Sequence, residues 1–305
     1  FRRMSDYDLK TSPLLPTRES VARIWVISDI QPDLPGEALA TLSAAVDDVL
    51  GTGLVFDAVW LLGDAFRGAE LSALERIADI FVEQLARLGV PVCYLLGNHD
   101  VDLKRATGVD RHPLRERVRA EPNWHVAERL DDFFFARRIG EWLVVFMGDH
   151  ADADGKWFTS HGGVGGRARE SYPHGEASYR RLSKAMAEFG GPVVVASHYA
   201  LPGGQKPSGL MARLLPLPEN VKLMLHGHAH IGDLVWNKDN PWQRDNPVEG
   251  HALRQFNISA LETLRSPGSH SAVLGLSPSG LFSLRIRCHQ ERAWLDSFPL
   301  GAVRE

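Results

Sequence analysis

Cysteine is nearly absent from this chain: Cys93 and Cys288 are its two examples among 305 residues. Two cysteines in a chain this long do not make a disulfide framework. Cys93 lies in the apolar run 90–96 and reads as a buried thiol. Long hydrophobic runs are lacking as well. No apolar stretch reaches the roughly 18 residues needed to span a bilayer, so no membrane association is expected. The opening Phe1-Arg2-Arg3-Met4 has no apolar stretch of signal type. A cytoplasmic location is the default expectation, with a removed leader left open. There is no basic excess either: 34 Lys and Arg face 38 Asp and Glu, a formal net charge of −4. That balance supplies no global field for DNA or RNA and suits a protein acting on small molecules. Two enzyme signatures are missing. Without a Gly-x-Ser-x-Gly elbow, or a Gly-x-Gly-x-x-Gly after the first strand, a serine hydrolase and a dinucleotide enzyme are disfavoured.

What is present is an ordinary globular composition, 44% hydrophobic and 24% charged. No internal repeat or low-complexity linker divides it. One domain over 20–300, preceded by an extension over 1–19, is the simplest account. Segment 23–28 reads as a buried strand stopping at Asp29, and 36–50 places Leu39, Leu42, Val46 and Val49 at helical spacing. A strand over 58–62 stops at Gly63-Asp64. Segment 71–88 carries Leu74, Ile77, Phe81, Leu85 and Leu88 on one helical face, and a strand over 91–96 stops at Gly97-Asn98-His99-Asp100. This β-α-β-α-β order predicts parallel strands with helical crossovers. The second half is similar, with strands over 142–147, 192–196 and 221–225 and a helix over 176–189. From Phe256 the pattern changes to hairpins, 271–276 and 281–286 around Pro278-Ser279-Gly280. Strands in both halves predict two sheets packed face to face with helices outside.

One regularity decides the functional reading. Five buried-looking strands each end, on the carboxyl side, in a polar group: Asp29/Gln31, Asp64, Asn98/His99/Asp100, His198 and His228/His230. Ligands bind at the carboxyl ends of strands in open α/β sheets. Carboxylate, amide carbonyl and imidazole are donors suited to divalent manganese, iron or zinc, and no cysteine joins them. Each group taken singly has a bland reading as a turn residue. Five in order, each after a strand, do not.

In their order, Asp29-Ile30-Gln31, Gly63-Asp64, Gly97-Asn98-His99-Asp100, His198 and Gly227-His228-Ala229-His230 resemble the signature of the calcineurin-like metallophosphoesterases. The resemblance runs from about residue 22 to 232. It implies an α/β/β/α sandwich of two packed mixed sheets, with the terminal hairpins in the second sheet. It also implies two divalent ions: a first held by Asp29, residue 31, Asp64 and His230, and a second held by Asp64, Asn98, His198 and His228. His99 is left uncoordinated and faces the substrate.

Two such ions hold a bridging hydroxide and clamp the oxygens of an in-line displacement, which makes a phosphate ester the expected substrate. His99 is the candidate general acid for the leaving alkoxide. The adjacent Asp100 either orients it or simply caps its loop. Arg67, just past Asp64, is a candidate phosphate contact. The glycine-rich run from His161 to Arg167 lacks a P-loop ending and reads as a loop at the rim of the site, with Arg167 a further candidate contact. Position 31 departs from the family: glutamine stands where histidine is expected. Gln31 ligates through its amide oxygen and favours a harder ion such as manganese or magnesium, or leaves the first position weak, or marks its loss. The expected activity is hydrolysis of a small soluble phosphodiester or phosphomonoester, cyclic nucleotides included. The alternatives are a nuclease and a non-catalytic ligand-binding member. Oligomeric state leaves no trace in the sequence.

Overall fold

The computed structural model describes residues 13–15, 21–67, 70–101, 112–128, 132–148, 150–151, 157–158, 175–204, 209–230, 245–248, 250–251, 253–264, 266 and 268–298. Its strands, in chain order, are β1 (Pro13–Leu15), β2 (Ala22–Ile27), β3 (Ala58–Leu62), β4 (Val92–Leu95), β5 (Trp124–His125), β6 (Phe134–Ile139), β7 (Trp142–Met147) and β8 (His150–Ala151). There follow β9 (Trp157–Phe158), β10 (Val193–Ser197), β11 (Val221–His226), β12 (Asp245–Pro247), β13 (Arg254–Asn257), β14 (His270–Leu276), β15 (Phe282–Cys288) and β16 (Ala293–Phe298). The helices are α1 (Pro35–Gly51), α2 (Leu71–Ala86), α3 (Asn98–Val101), α4 (Pro113–Val118) and α5 (Glu176–Glu188), with a 3₁₀ turn over Met211–Leu214.

Two seven-stranded mixed sheets form the centre. One runs β16-β15-β14-β2-β3-β4-β5, the other β1-β6-β7-β10-β11-β13-β12. Strands β2 to β5 are parallel, as the β-α-β order requires, and so are β7, β10 and β11. The reason lies in alternation along continuously apolar strands. In β3, Ala58, Trp60 and Leu62 enter the core between the sheets, while Val59 and Leu61 face the helices. Trp60 meets Phe146 of the opposite sheet edge-on, centroids 5.2 Å apart. Helices α1 and α2 cover the outside of the first sheet, and α5 the outside of the second. The architecture is the α/β/β/α sandwich expected from the sequence.

Helix α2 buries Leu74, Ile77, Phe81 and Leu85 completely, each such side chain contributing roughly 1.5–3 kcal/mol. Helix α1 starts after Leu34, where the Glu37 carboxylate accepts the Asp33 and Leu34 N–H groups at 2.9 and 3.3 Å and so satisfies donors that the helix leaves open. Leu39, assigned by spacing to the buried face of α1, is 44% exposed; Ala38 and Ala45 take that face instead. The C-terminal hairpin also differs from expectation. Strand β14 pairs antiparallel with β2, Ala272 opposite Val26, so the hairpins extend the first-half sheet rather than the second. Strand β2 uses only one edge for β3, and the hairpin closes the other. Residues 13–15, from the segment read as an extension, pair with β6 at the rim of the other sheet.

Candidate metal centre

All five polar strand ends reach the same edge of the sandwich. Asp29 and Asp64 follow β2 and β3, Asn98 opens α3 beyond β4, and His198 and His228 follow β10 and β11. Backbone bonds lock the loops together: Asp29 N–H donates to Gly63 O, and Ile30 and Gln31 N–H groups both donate to Asp64 O, at 3.1–3.2 Å. Asp29, Gln31, Asp64, His228 and His230 all have left-handed backbone, φ between 40° and 63°. Such conformations cost non-glycine residues on the order of 1–3 kcal/mol each and persist where the surroundings impose them. Glycine provides the clearance. A Cβ on Gly97 would lie 2.3 Å from Asp64 Oδ1, and one on Gly227 would lie 2.0 Å from Ser28 Oγ and 2.5 Å from Asp29 Oδ2.

Within this frame the donors converge. Asp64, His198 and His228 each offer a donor atom, and the three atoms lie within 4.8 Å of one another. His198 Nε2 is 3.2 Å from Asp64 Oδ2 and 3.2 Å from Asn98 Oδ1. Its other nitrogen, Nδ1, sits 2.7 Å from Leu62 O, which can only accept. Nδ1 therefore carries hydrogen, and Nε2 faces two oxygen acceptors. On the other side His230 Nε2 is 3.1 Å from Asp29 Oδ1, and Asp29 Oδ2 accepts from Ser28 Oγ and from His228 N–H. Acceptors facing acceptors need a positive charge between them. A proton or a divalent ion supplies it.

The electrostatics agree. Burial pushes the Asp29 and Asp64 carboxyls up, but the neighbouring imidazoles, His230 and His198 foremost, override it and hold both below the usual range. Burial lowers His198, yet Asp64 and Asp29 carry it up to about 10. A field that holds a proton that firmly also favours a divalent cation. Asp64, His198 and His228 fit a divalent ion.

A model of the calcineurin-like phosphoesterases matches residues 22–232. The chain belongs to that family. Among curated proteins nothing matches. Among solved structures, a purple acid phosphatase from yellow lupin (Lupinus luteus) seeds superposes with a TM-score of 0.52 at 15% identity, over 93% of this chain and 54% of that one. This chain thus spans about half the length of the lupin protein. GAP50, described as the anchor in the inner membrane complex of Plasmodium, gives a TM-score of 0.57 at 12% identity, over 92% and 89%. At such identities the likeness is one of fold.

The remaining candidates of this calcineurin-like phosphoesterase divide clearly. His99 is partly exposed; its backbone N–H donates to Asp64 Oδ1 at 2.9 Å, and its ring is near enough for its charge to lower the Asp64 carboxyl. Asp100 turns the other way. Its oxygens accept the N–H groups of Ala65, Phe66 and Gly97 at 2.8–3.2 Å, the contacts that the loop-capping alternative describes. Arg67 sits at the rim, 3.6 Å from the Asp33 carboxylate. Arg167 and the glycine-rich run lie outside the described residues. Gln31 presents its amide nitrogen, donating to Asp64 Oδ2 at 2.7 Å; its oxygen, the expected ligand atom, is not the atom turned to that carboxylate. His226, next to the ligand pair, is packed: burial brings it down to about 4, and its Nδ1 lies 3.0 Å from Gly227 O.

Sequence reasoning misses two neighbours. Tyr199 is fully buried with its ring against both His198 and His228, centroids 4.9 and 4.8 Å away. Glu262 lies behind His230, its Oε1 3.0 Å from His230 Nδ1. Tyr199 adjoins a motif residue and is within reach of that signal. Glu262 belongs to no motif, and only the fold brings it in.

Proposed function

We propose that this chain is a metal-dependent phosphoesterase acting on a small soluble phosphodiester or phosphomonoester, cyclic nucleotides included. The observation that carries the reading is the convergence of Asp64, Asn98, His198 and His228, with His198 Nε2 facing two oxygens. Asp64, Asn98, His198 and His228 would hold one ion, and Asp29, Asp64 and His230 the other. When bound, two divalent ions supply Lewis acidity toward phosphate oxygens and an activated water. Buried Asp29 and Asp64 leave part of the ionic charge uncancelled, so the site attracts an anion. His99 gives its imidazole proton to the departing oxygen. Arg67 exchanges its Asp33 partner for a phosphate oxygen. Asp100 fixes the loop from which His99 projects.

A second reading is a non-catalytic ligand-binding member, favoured by the Gln31 amide donating to Asp64 where an imidazole ligand is expected. The same experiment separates the two. The chain is stripped of metal, reconstituted with manganese and assayed on chromogenic monoesters and diesters. Uptake near two ions per chain is expected, with turnover that falls roughly 10²–10⁴-fold in His99→Ala. Metal uptake without turnover supports the binding reading; no uptake at all sinks both.

A further inference from the structure

The loop after β13 closes over the Asp29 side of the metal centre. Leu261 N–H donates to Ser28 O at 3.0 Å and Glu262 N–H to Asp29 O at 3.1 Å, so the loop continues the sheet beside the Asp29 loop. This places the Glu262 side chain, 7% exposed, directly behind the His230 ring, 2% exposed. Glu262 Oε1 lies 3.0 Å from His230 Nδ1, an ion-pair contact in which the ring is not turned into an aligned hydrogen bond, and Oε2 accepts the Leu264 N–H at 3.1 Å. The opposite ring nitrogen, Nε2, faces Asp29 Oδ1 at 3.1 Å. Glu262 lies beyond the segment 22–232 over which the family model matches.

We infer that Glu262 is a positioning residue of the first metal position: once an ion aligns the His230 ring, the Glu262 carboxylate takes its Nδ1–H, fixes the tautomer that turns Nε2 toward the ion, and strengthens that nitrogen as a donor. The inference rests on the metallophosphoesterase reading above. A carboxylate behind a ligating imidazole fixes its orientation and raises its basicity. The two positions differ in this respect. His198 has a neutral carbonyl, Leu62 O, behind its Nδ1, whereas His230 has a buried carboxylate, a stronger acceptor. The difference falls where it is needed. With the Gln31 amide nitrogen engaged by Asp64, His230 is the imidazole on which the first position depends. Glu262 reinforces the donor that remains.

The test is a manganese titration of the metal-stripped full chain, with free ion followed by electron paramagnetic resonance. Glu262→Gln keeps an oxygen for the Leu264 N–H but offers an amide N–H to His230 Nδ1, which favours the opposite tautomer. The expected result is one binding step weakened roughly 10–100-fold, the other unchanged, and partial recovery in Glu262→Asp. Unchanged affinity at both steps overturns the inference, and so does equal weakening of both. A wild-type chain that takes up no manganese overturns the metal-centre reading itself, a separately readable failure. If the glutamine variant does not fold, the wild type decides: with zinc bound and histidine ¹⁵N-labelled, His230 must show its proton on Nδ1. A proton on Nε2 overturns the proposal.

Discussion

Gln31 donates to Asp64 Oδ2 from a left-handed backbone, φ 43°, a conformation that costs a residue with a Cβ about 1–2 kcal/mol. The strain is maintained by the two N–H groups that Ile30 and Gln31 give to Asp64 O. The loop geometry thus survives although the ligand type has changed. Gln31→His restores an imidazole at that position and is expected to tighten the first manganese step by at least about tenfold, read by calorimetric titration; unchanged affinity would mean that side chain 31 does not reach the ion. Asp100 makes the complementary case. Three backbone N–H groups end on its buried carboxylate, and hydrogen bonds to a charged group are worth about 1.5–3 kcal/mol each. Asp100→Ala is therefore expected to lower unfolding free energy by at least about 3 kcal/mol, measured by urea titration. A loss of turnover with stability intact would return Asp100 to catalysis.

At the scale of elements, the centre depends on how closely strand-end loops approach one another. The Gly227 position after β11 leaves no room for a methyl group beside Ser28 and Asp29, while Gly36 near the start of α1 has nothing within 4 Å of its missing Cβ. Gly227→Ala should displace the Asp29 carboxylate and abolish the first manganese step. Gly36→Ala should leave metal binding alone and, in a helix, stabilise by about 0.4–1 kcal/mol. Equal effects of the two substitutions would contradict the close-approach argument. The element pattern also shows where sequence reading falters. Strands β3 and β7 are bounded as the sequence predicts, because both lie inside the sandwich and stay apolar on both faces. Strand β6 is not among the elements that the periodicity predicts. Its Arg137 and Arg138 break the apolar run, and pairing with β7 makes it a strand despite its composition.

At the scale of the molecule, a second polar cluster ties the helical layer to the sheet. Asp48 of α1 accepts from Arg287 Nε and Nη2 at 2.8 and 2.6 Å and faces His289 Nδ1 at 2.8 Å. His289 Nε2 lies 2.8 Å from Ser271 Oγ, which takes the Trp25 Nε1–H. All five residues are buried. Asp48→Ala strands the Arg287 charge in the interior and is expected to cost about 3–5 kcal/mol, with metal uptake by the surviving folded fraction unchanged. The pH dependence follows from the same groups. Burial lowers His289 despite the Asp48 contact, and burial with the Arg137 charge brings His125 down to about 4. Each of these two imidazoles is more basic unfolded than folded, so its contribution is complete above about pH 6.5, the ordinary histidine value, and falls as the unfolded chain takes up protons below it. His198, carried up to about 10, acts in the opposite sense: its contribution is complete below about pH 6.5 and lost as pH rises through about 10. Asp48 adds in the same sense as His289 and His125: burial opposes its ionisation, but Arg287 and His289 hold it below the usual range, a contribution lost only in stronger acid. The melting temperature of the metal-free chain should drop from pH 7 to pH 5, less steeply in His289→Gln. A flat profile would contradict these assignments.

The sequence by itself determined the sandwich class, half of the described strands with the three long helices, and the order of the polar groups at the strand ends. Those features are written in local periodicity and in residue types that change abruptly where a buried strand meets a loop. Tertiary structure decided what local pattern cannot encode. Leu39 is exposed because the buried stripe of α1 runs through Ala38, Leu42, Ala45, Val46 and Val49, one position out of phase with it. The C-terminal hairpin joins β2 because that strand had an edge to fill. Asp100 serves the loop backbone, Gln31 offers nitrogen instead of oxygen, and Glu262 comes to stand behind His230. Each of these depends on the direction of one side chain relative to a segment distant in the chain, and packing alone sets that direction.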